Sequence, residues 1–493
     1  MRNEDLYKYL TRICKKKGLA IESLPRLFGF SRSSLYRYMT GIVRMPPEVQ
    51  AKFIDILRLE ETERREFERL VGLSAFDSTT IAARYAFDNF VFGQKMAAEA
   101  TKIFKFAYHE GDTFLRTSEE IYALIEAVAF QPGATCAIRI VNCLSPEIFG
   151  SVSSFIDRIL AASETATVEH LLAFSERDNL QNINTLTSII PLLKYKNYSA
   201  CYSTEFTYHD ASVFFGNTLM IDINVGKASQ RYFFLAFHGE ELSDCLSSSD
   251  PSVYNFFTNN YKYFKAIYNT SLLDVSGVDV MANNMLELQQ NADQYLLKPN
   301  FCYDDIPDSV YQSLLTRASE QELAAARSCL TSSLEDDTVI SALLAILAER
   351  RATTYHHRRI NVHSMDGLRE LAVTGRLTDH LAFMPSFNKQ ELRAIFEYVR
   401  DRNSDPKDSY TLFITREKVL VNWYIIFAFE NIGALIEHNQ ESYAQGICAG
   451  LFVRNKMLAA ILSDYMRNHI PDKHALSREE ATAFLNTLIA SLA

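Results

Sequence analysis

Apolar residues change their period in this chain, and that change bounds the folds open to it. Up to Phe130 they recur mainly at three- and four-residue spacing; after Gln131-Pro132-Gly133, short apolar runs such as Thr135 to Val141 alternate with amphipathic stretches. The first spacing lines one face of a helix, whereas short apolar runs bounded by turn residues suit buried strands. A helical N-terminal part followed by an α/β body is therefore expected. At roughly 150 residues per domain, 493 residues suggest about three domains. With 48% hydrophobic and 22% charged residues, and only 17 Gly and 12 Pro, collagen-like and disordered architectures are excluded.

The start, MRNEDLYKYL, is charged and lacks the apolar stretch of a signal peptide. The most apolar run, Val419 to Phe429, is too short to span a bilayer and contains Asn422. Eight cysteines (14, 136, 143, 201, 245, 302, 329 and 448) are scattered, with no C-x-x-C. Neither a disulfide framework nor a metal site is expected, and no cofactor; a cytoplasmic location fits best.

Charge divides the chain unequally. Residues 1 to 44 hold ten Lys and Arg against Glu4, Asp5 and Glu22, a net +7, which leaves −17 on the remainder. A small basic head on a large acidic body is the electrostatic footprint of a nucleic-acid-binding module with an appended domain.

Within the head, Leu6, Leu10 and Ile13 predict a first helix over residues 4 to 17, stopped by Gly18. A short second helix is predicted from Ile21 to Phe28, with Gly29 as the turn. Ser31 is a natural N-cap for a third helix, Arg32 to Met39, and Pro46-Pro47 opens a fourth, Glu48 to Leu59. Glu60 to Leu70 reads as a fifth. Two short helices joined by a Gly-containing turn make a helix-turn-helix unit. The stretch Leu24 to Gly41 resembles the Cro/repressor-like (XRE) helix-turn-helix family, through Gly29, Ser31, Ser34, Leu35 and Gly41. The resemblance covers about the first 70 residues and implies that the third helix enters the DNA major groove. Carried over by position, Ser31, Arg32, Ser33, Ser34, Tyr36 and Arg37 face DNA, with Arg44 and Lys15 to Lys17 on the phosphate backbone. Pro25 departs from the small residue usual in that family and bears on where the second helix begins.

The body reads as a helical connector (74–130), an α/β lobe (131–275), a second helical connector (276–350) and a second α/β lobe with C-terminal helices (351–493), the first of them a long helix from Ser442 to Asn468. Similar element order in 131–270 and 351–468 suggests two copies of one unit. This layout alone resembles the two-lobed phospholipase D superfamily, whose motif is His-x-Lys-(x)4-Asp in each lobe. Here His209 is followed by Asp210-Ala211, and His363 by Ser364-Met365, so the motif is missing. The resemblance then implies a body that senses or dimerises without that chemistry.

Walker, G-x-G-x-x-G, H-E-x-x-H and G-x-S-x-G patterns are absent from the sequence. Three local clusters stand out: His356-His357-Arg358-Arg359 as an anion site or a solvated strand start, His238-Gly239-Glu240-Glu241 as a strand-end site or a polar turn, and the aromatic run Tyr254 to Tyr268 as a helix buried on several sides. The function expected is a DNA-binding transcriptional regulator, not an enzyme: a homodimer on double-stranded operator DNA, whose body senses a small molecule, peptide or partner, with no membrane partner. The alternatives are a DNA-tethered enzyme and a peptide-sensing regulator, the latter without the helical repeat of about 34 residues it calls for.

Overall fold

The computed structural model describes residues 4–20, 23–40, 45–60, 63–64, 67, 70–71, 78–92, 105–110, 113–141, 146–175, 178–195, 197–203, 217–225, 230–238, 241–267, 269–270, 278–317, 345, 348–350, 352, 356–378, 385–405, 408–417, 424–438 and 450–492. It divides into two compact units, Met1–Tyr85 and Ala86–Ala493.

The first unit is helical: α1 (Glu4–Lys16), α2 (Leu24–Phe28), α3 (Arg32–Met39) and α4 (Pro47–Leu57). Leu6, Leu10 and Ile13 of α1 meet Leu24, Phe28, Leu35, Met39 and Phe53 in one core. Fully burying each such side chain contributes about 1.5–3 kcal/mol, and that burial holds helices this short in place. The second helix begins at Leu24, later than the predicted Ile21, with Pro25 in its first turn, where a missing N–H costs no intrahelical bond. Gly29 ends it at φ 71°, a left-handed conformation that glycine adopts without strain. Helix α5 (Ser78–Phe92) follows in the chain.

The second unit opens with a ribbon, β1 (Lys105–Glu110) against β2 (Thr113–Thr117), inside the stretch read from sequence as helical connector. After α6 (Ser118–Ala129) come β3 (Thr135–Val141), α7 (Pro146–Ala162), β4 (Thr167–Ala173), α8 (Asn179–Ile189) and β5 (Tyr198–Ser203). Parallel strands need crossovers, which α7 and α8 supply. The chain then returns antiparallel through β6 (Thr218–Asn224), β7 (Gln230–His238) and β8 (Glu241–Ser248). Helix α9 (Pro251–Ile267) and the two-residue β9 (Asn269–Thr270) follow, so the first sheet has the order β8-β7-β6-β3-β4-β5-β9.

The second sheet repeats the plan. After α10 (Val278–Asn291), its strands are β10 (Gln294–Leu297), β11 (Arg359–Ser364), β12 (Tyr410–Thr415), β13 (Tyr424–Phe429), β14 (Gly433–His438) and β15 (Gly450–Val453), in the order β12-β11-β10-β13-β14-β15. Helix α11 (Asp308–Arg317) lies between β10 and β11; α12 (Met365–Thr374) and α13 (Lys389–Ser404) lie between β11 and β12. In each sheet the first strand sits centrally. The second and third extend from it in parallel, and the fourth to sixth extend antiparallel on its other side. The body is thus an α/β structure of two similar lobes.

The stretch 276–350, read as helical, contributes the central strand β10 of the second sheet. The long helix expected from Ser442 to Asn468 contains β15, and the helix proper, α14 (Lys456–Asp464), starts after it. A π-helical turn, Tyr465–His469, continues α14 into the short α15 (Ile470–Lys473), and α16 (Arg478–Ser491) closes the chain against α13.

The two lobes are joined at Asn455. Its Oδ1 accepts from Leu458 N at 2.8 Å and caps α14, while its Nδ2 donates to Ser175 O at 3.1 Å, just beyond β4. Beside it, Arg454 N donates to the Tyr202 hydroxyl at 2.7 Å.

Candidate nucleic-acid interface

Helix α3 has two faces. Leu35 and Met39, four residues apart, are each only 2% exposed and anchor the helix in the core of the first unit. Arg32, Ser33, Tyr36 and Arg37 lie exposed on the other side, where i and i+4 positions bring Arg32 beside Tyr36 and Ser33 beside Arg37. Tyr36 is steadied edge-on by the Tyr7 ring of α1, with centroids 6.0 Å apart.

Ser31 starts this helix. Its hydroxyl oxygen accepts from Ser34 N at 3.1 Å and donates to Ser34 Oγ at 2.8 Å, and Ser33 Oγ lies 3.0 Å away. The three serines thus form an exposed hydroxyl cluster that also fixes the first turn. At the other end, Thr40 Oγ1 donates to Tyr36 O at 2.7 Å. Arg44 and Gly41 lie outside the described residues.

The lysine run is not uniformly available. Lys15 is exposed, but Lys16 Nζ reaches Glu63 at 2.5 Å, and Lys17 Nζ lies 3.1 Å from the same carboxylate while donating to Arg58 O at 2.9 Å. The hydrogen bond from Lys16, with the Glu60 backbone and Lys17, holds the Glu63 carboxyl down at about 2. Two of the three lysines expected to position the head on phosphate therefore have partners inside the unit.

What the exposed face offers chemically is specific. Arg32 and Arg37 carry guanidinium forks that match guanine O6 and N7, while the serine hydroxyls and the tyrosine phenol suit phosphate or base-edge hydrogen bonds. A helix fits the major groove, about 12 Å wide.

The other clusters resolve differently. Arg359 is buried, and its Nη1 and Nη2 hold Asp304 at 2.5 and 2.6 Å; Arg350 reaches the same carboxylate at 3.3 Å and Asn361 Nδ2 reaches Asp305 at 3.0 Å. Burial alone pushes the Asp304 carboxyl up, but Arg359 and Arg350 outweigh it and hold it well below the usual range. Burial raises Asp305, and the adjacent Asp304 charge adds to this. Arg359 of His356-His357-Arg358-Arg359 is thus taken up by the protein's own carboxylates. Arg358 N donates to Asp293 at 2.9 Å, and His357 lies 3.7 Å from it.

His363 is wholly buried on β11, with Nδ1 donating to Lys298 O at 2.9 Å. Burial pushes it down to about 3, so it stays neutral. Gly239 and Glu240 lie outside the described residues, as does His209. Of the aromatic run, Tyr261 is 1% exposed and Phe256 62%, so α9 is not buried on every side. Tyr254 stacks on Tyr232 at 4.4 Å and accepts from Arg139 at 2.6 Å. Burial raises the thiols of Cys136 and Cys245 to about 12, which suits packing rather than reactivity. Among the described residues no helix is long and apolar enough to cross a membrane.

Comparison with known proteins agrees with the head. Residues 7–67 match a family model described as "Helix-turn-helix domain", which spans α1 to α4. The head is an XRE-like helix-turn-helix domain, and such a domain supports DNA binding. Comparison with curated protein sequences returns no match. Among solved structures, the chain is similar to the phosphatidylserine synthase of Haemophilus influenzae Rd KW20, at 12% identity over 85% of this chain and 96% of that one. The TM-score is 0.24, too low to bear on fold or activity.

Proposed function

We propose that this chain is a sequence-specific DNA-binding transcriptional regulator. The helix-turn-helix match over residues 7–67 carries the reading, and the exposed Arg32, Ser33, Tyr36 and Arg37 strip of α3 supports it. In this reading Arg32 and Arg37 contact base edges, Tyr36 and Ser33 contact base edges or phosphate, and Ser31 and Ser34 face the backbone while holding the helix start. Arg44 and Lys15 contact phosphate.

Residues 1–73 form the DNA-binding head. Residues 74–130 connect it to a first lobe (131–275), and the second lobe, placed from sequence at 351–493, takes its first strand from Gln294 onward. The body senses a small-molecule or peptide effector and dimerises, in the cytoplasm. Dimerisation follows from the geometry of recognition: one short helix reads few base pairs, and two heads bind half-sites about one helical turn apart. Regulation requires that the effector bind two states of the body unequally.

Selection of bound fragments from a random duplex pool tests this, using the full chain and an Arg32→Ala/Arg37→Ala variant. The expected result is a two-fold symmetric motif, bound with an affinity that falls steeply with salt and lost in the variant. A pool that stays unenriched, or that enriches equally with the variant, overturns the assignment.

A further inference from the structure

Three side chains far apart in sequence converge in the second unit. His469 Nε2 lies 3.1 Å and His474 Nε2 2.8 Å from the same oxygen, Asp88 Oδ1, although Asp88 stands 381 and 386 positions away from them. Asp88 comes from α5, His469 from the π-helical turn after α14, and His474 from the end of α15. Donor atoms of the three lie within 4.8 Å of one another, the one such group among the described residues.

The surroundings hold this constellation in place. Tyr465 donates to Asp88 Oδ1 at 3.0 Å. Phe92 stacks on the His474 ring at 4.1 Å, and Tyr465 stacks on the His469 ring at 5.1 Å. The far nitrogen of His474, Nδ1, lies 3.4 Å from Glu417 Oε2; a carboxylate in that position orients a ligating imidazole and raises its basicity. His469 is 5% exposed, so the centre of the cluster is screened from water. The π-helical turn inserts an extra residue that aims Tyr465 and His469 at the same carboxylate, and such turns frequently mark functional sites.

We propose that Asp88, His469 and His474 bind a single divalent transition cation of the zinc class, through Asp88 Oδ1 and the two Nε2 atoms. Two imidazoles and one carboxylate form the nitrogen and oxygen donor set that suits zinc and its first-row neighbours, rather than calcium or magnesium. Ligand bonds of about 2.0–2.2 Å at tetrahedral angles set donor separations of about 3.4 Å, so the present spacing needs only a small opening to admit the ion. Three protein ligands leave a fourth position open. The site fastens the end of α5 to the second lobe. It lies wholly within residues 86–493 and does not depend on the DNA-binding reading.

The test uses the full chain, dialysed against chelator and titrated with Co²⁺ and with Zn²⁺. One saturable equivalent is expected, with visible Co²⁺ absorption bands, and zinc-edge X-ray absorption of the unmutated protein should count two imidazoles and no sulfur. His474→Gln and Asp88→Asn should each weaken binding at least about a hundredfold, since even an outer hydrogen-bond partner is worth about 10–100-fold. Absent saturable binding overturns the site, as does a sulfur ligand or equal affinity in folded variants. Should both variants misfold, the absorption spectrum of the unmutated protein still decides.

Discussion

Tyr198 and Tyr410 occupy the same place in their two sheets. Each opens the third strand of its lobe, Tyr198 opposite Val168 and Tyr410 opposite Arg359, and each turns its hydroxyl to a polar residue two positions along the neighbouring strand. In the first lobe the partner is His170, whose Nδ1 lies 2.8 Å away; in the second it is Asn361, whose Nδ2 lies at 3.4 Å. The repeat therefore extends from topology to individual buried contacts.

The two contacts differ in length, and so should the cost of losing them. Tyr198→Phe leaves the buried His170 nitrogen without this partner and is expected to destabilise the body by about 1–3 kcal/mol, whereas Tyr410→Phe, at a longer and weaker contact, should cost under about 1 kcal/mol. Denaturant titration of both variants measures the difference; equal losses would contradict it.

Asp304→Asn should be among the most damaging single changes in the second lobe. It leaves Arg350 beside a neutral amide and Arg359 with only Asp305, 3.3 Å away, and breaking such a buried pair costs about 3–5 kcal/mol. Removing charge on both sides, in Asp304→Leu/Arg359→Met, should recover part of that loss. Thermal melts of the single and double variants read this directly, and a double variant worse than the sum of its parts would oppose the explanation.

His363 gives the acid limb of stability a defined sign. Burial lowers it from 6.5 to about 3, so between those values the unfolded chain takes up a proton that the folded chain refuses. Its contribution is present in full above pH 6.5 and is lost as the pH falls through that window, at about 1.4 kcal/mol per pH unit. His363→Gln keeps an amide for Lys298 O and should flatten the stability profile there. An unchanged slope in the variant would show that His363 titrates normally.

Ser31 separates stability from recognition in the head. Ser31→Ala removes the cap on α3 and should cost about 1 kcal/mol, whereas Ser31→Asp restores a cap but places a negative charge beside the recognition face. Melting temperature should therefore recover in Ser31→Asp while DNA affinity falls further. If affinity instead tracks stability in both variants, this serine acts only through folding.

The head was legible in the sequence because its signals are local. Ser31, Leu35 and the residues around Gly41 place α3 at the Arg32–Met39 range the structure has, and Gly29 takes the left-handed φ its turn position calls for. The body was legible in class but not in detail. Strand β10 is four wholly buried residues between a helix and Pro299, and a run that short carries no period to separate strand from helix. Strands β8 and β15 were missed for a related reason: Glu241–Ser248 is an edge strand with few apolar residues, and Gly450–Val453 adjoins a real helix. His469 and His474 carry an H-x4-H spacing that suits zinc, but nothing along the chain points from them to Asp88, or from Asp304 to Arg359, because only the fold brings those positions together.

Asn455 gives the body a mechanical property. The amide that starts α14 is the same amide that reaches across to Ser175, one atom serving each task. Pulling the lobes apart thus tugs on the first turn of a helix, and fraying that turn slackens the link between lobes. Separation and local unwinding become one motion, a latch that is released from either end.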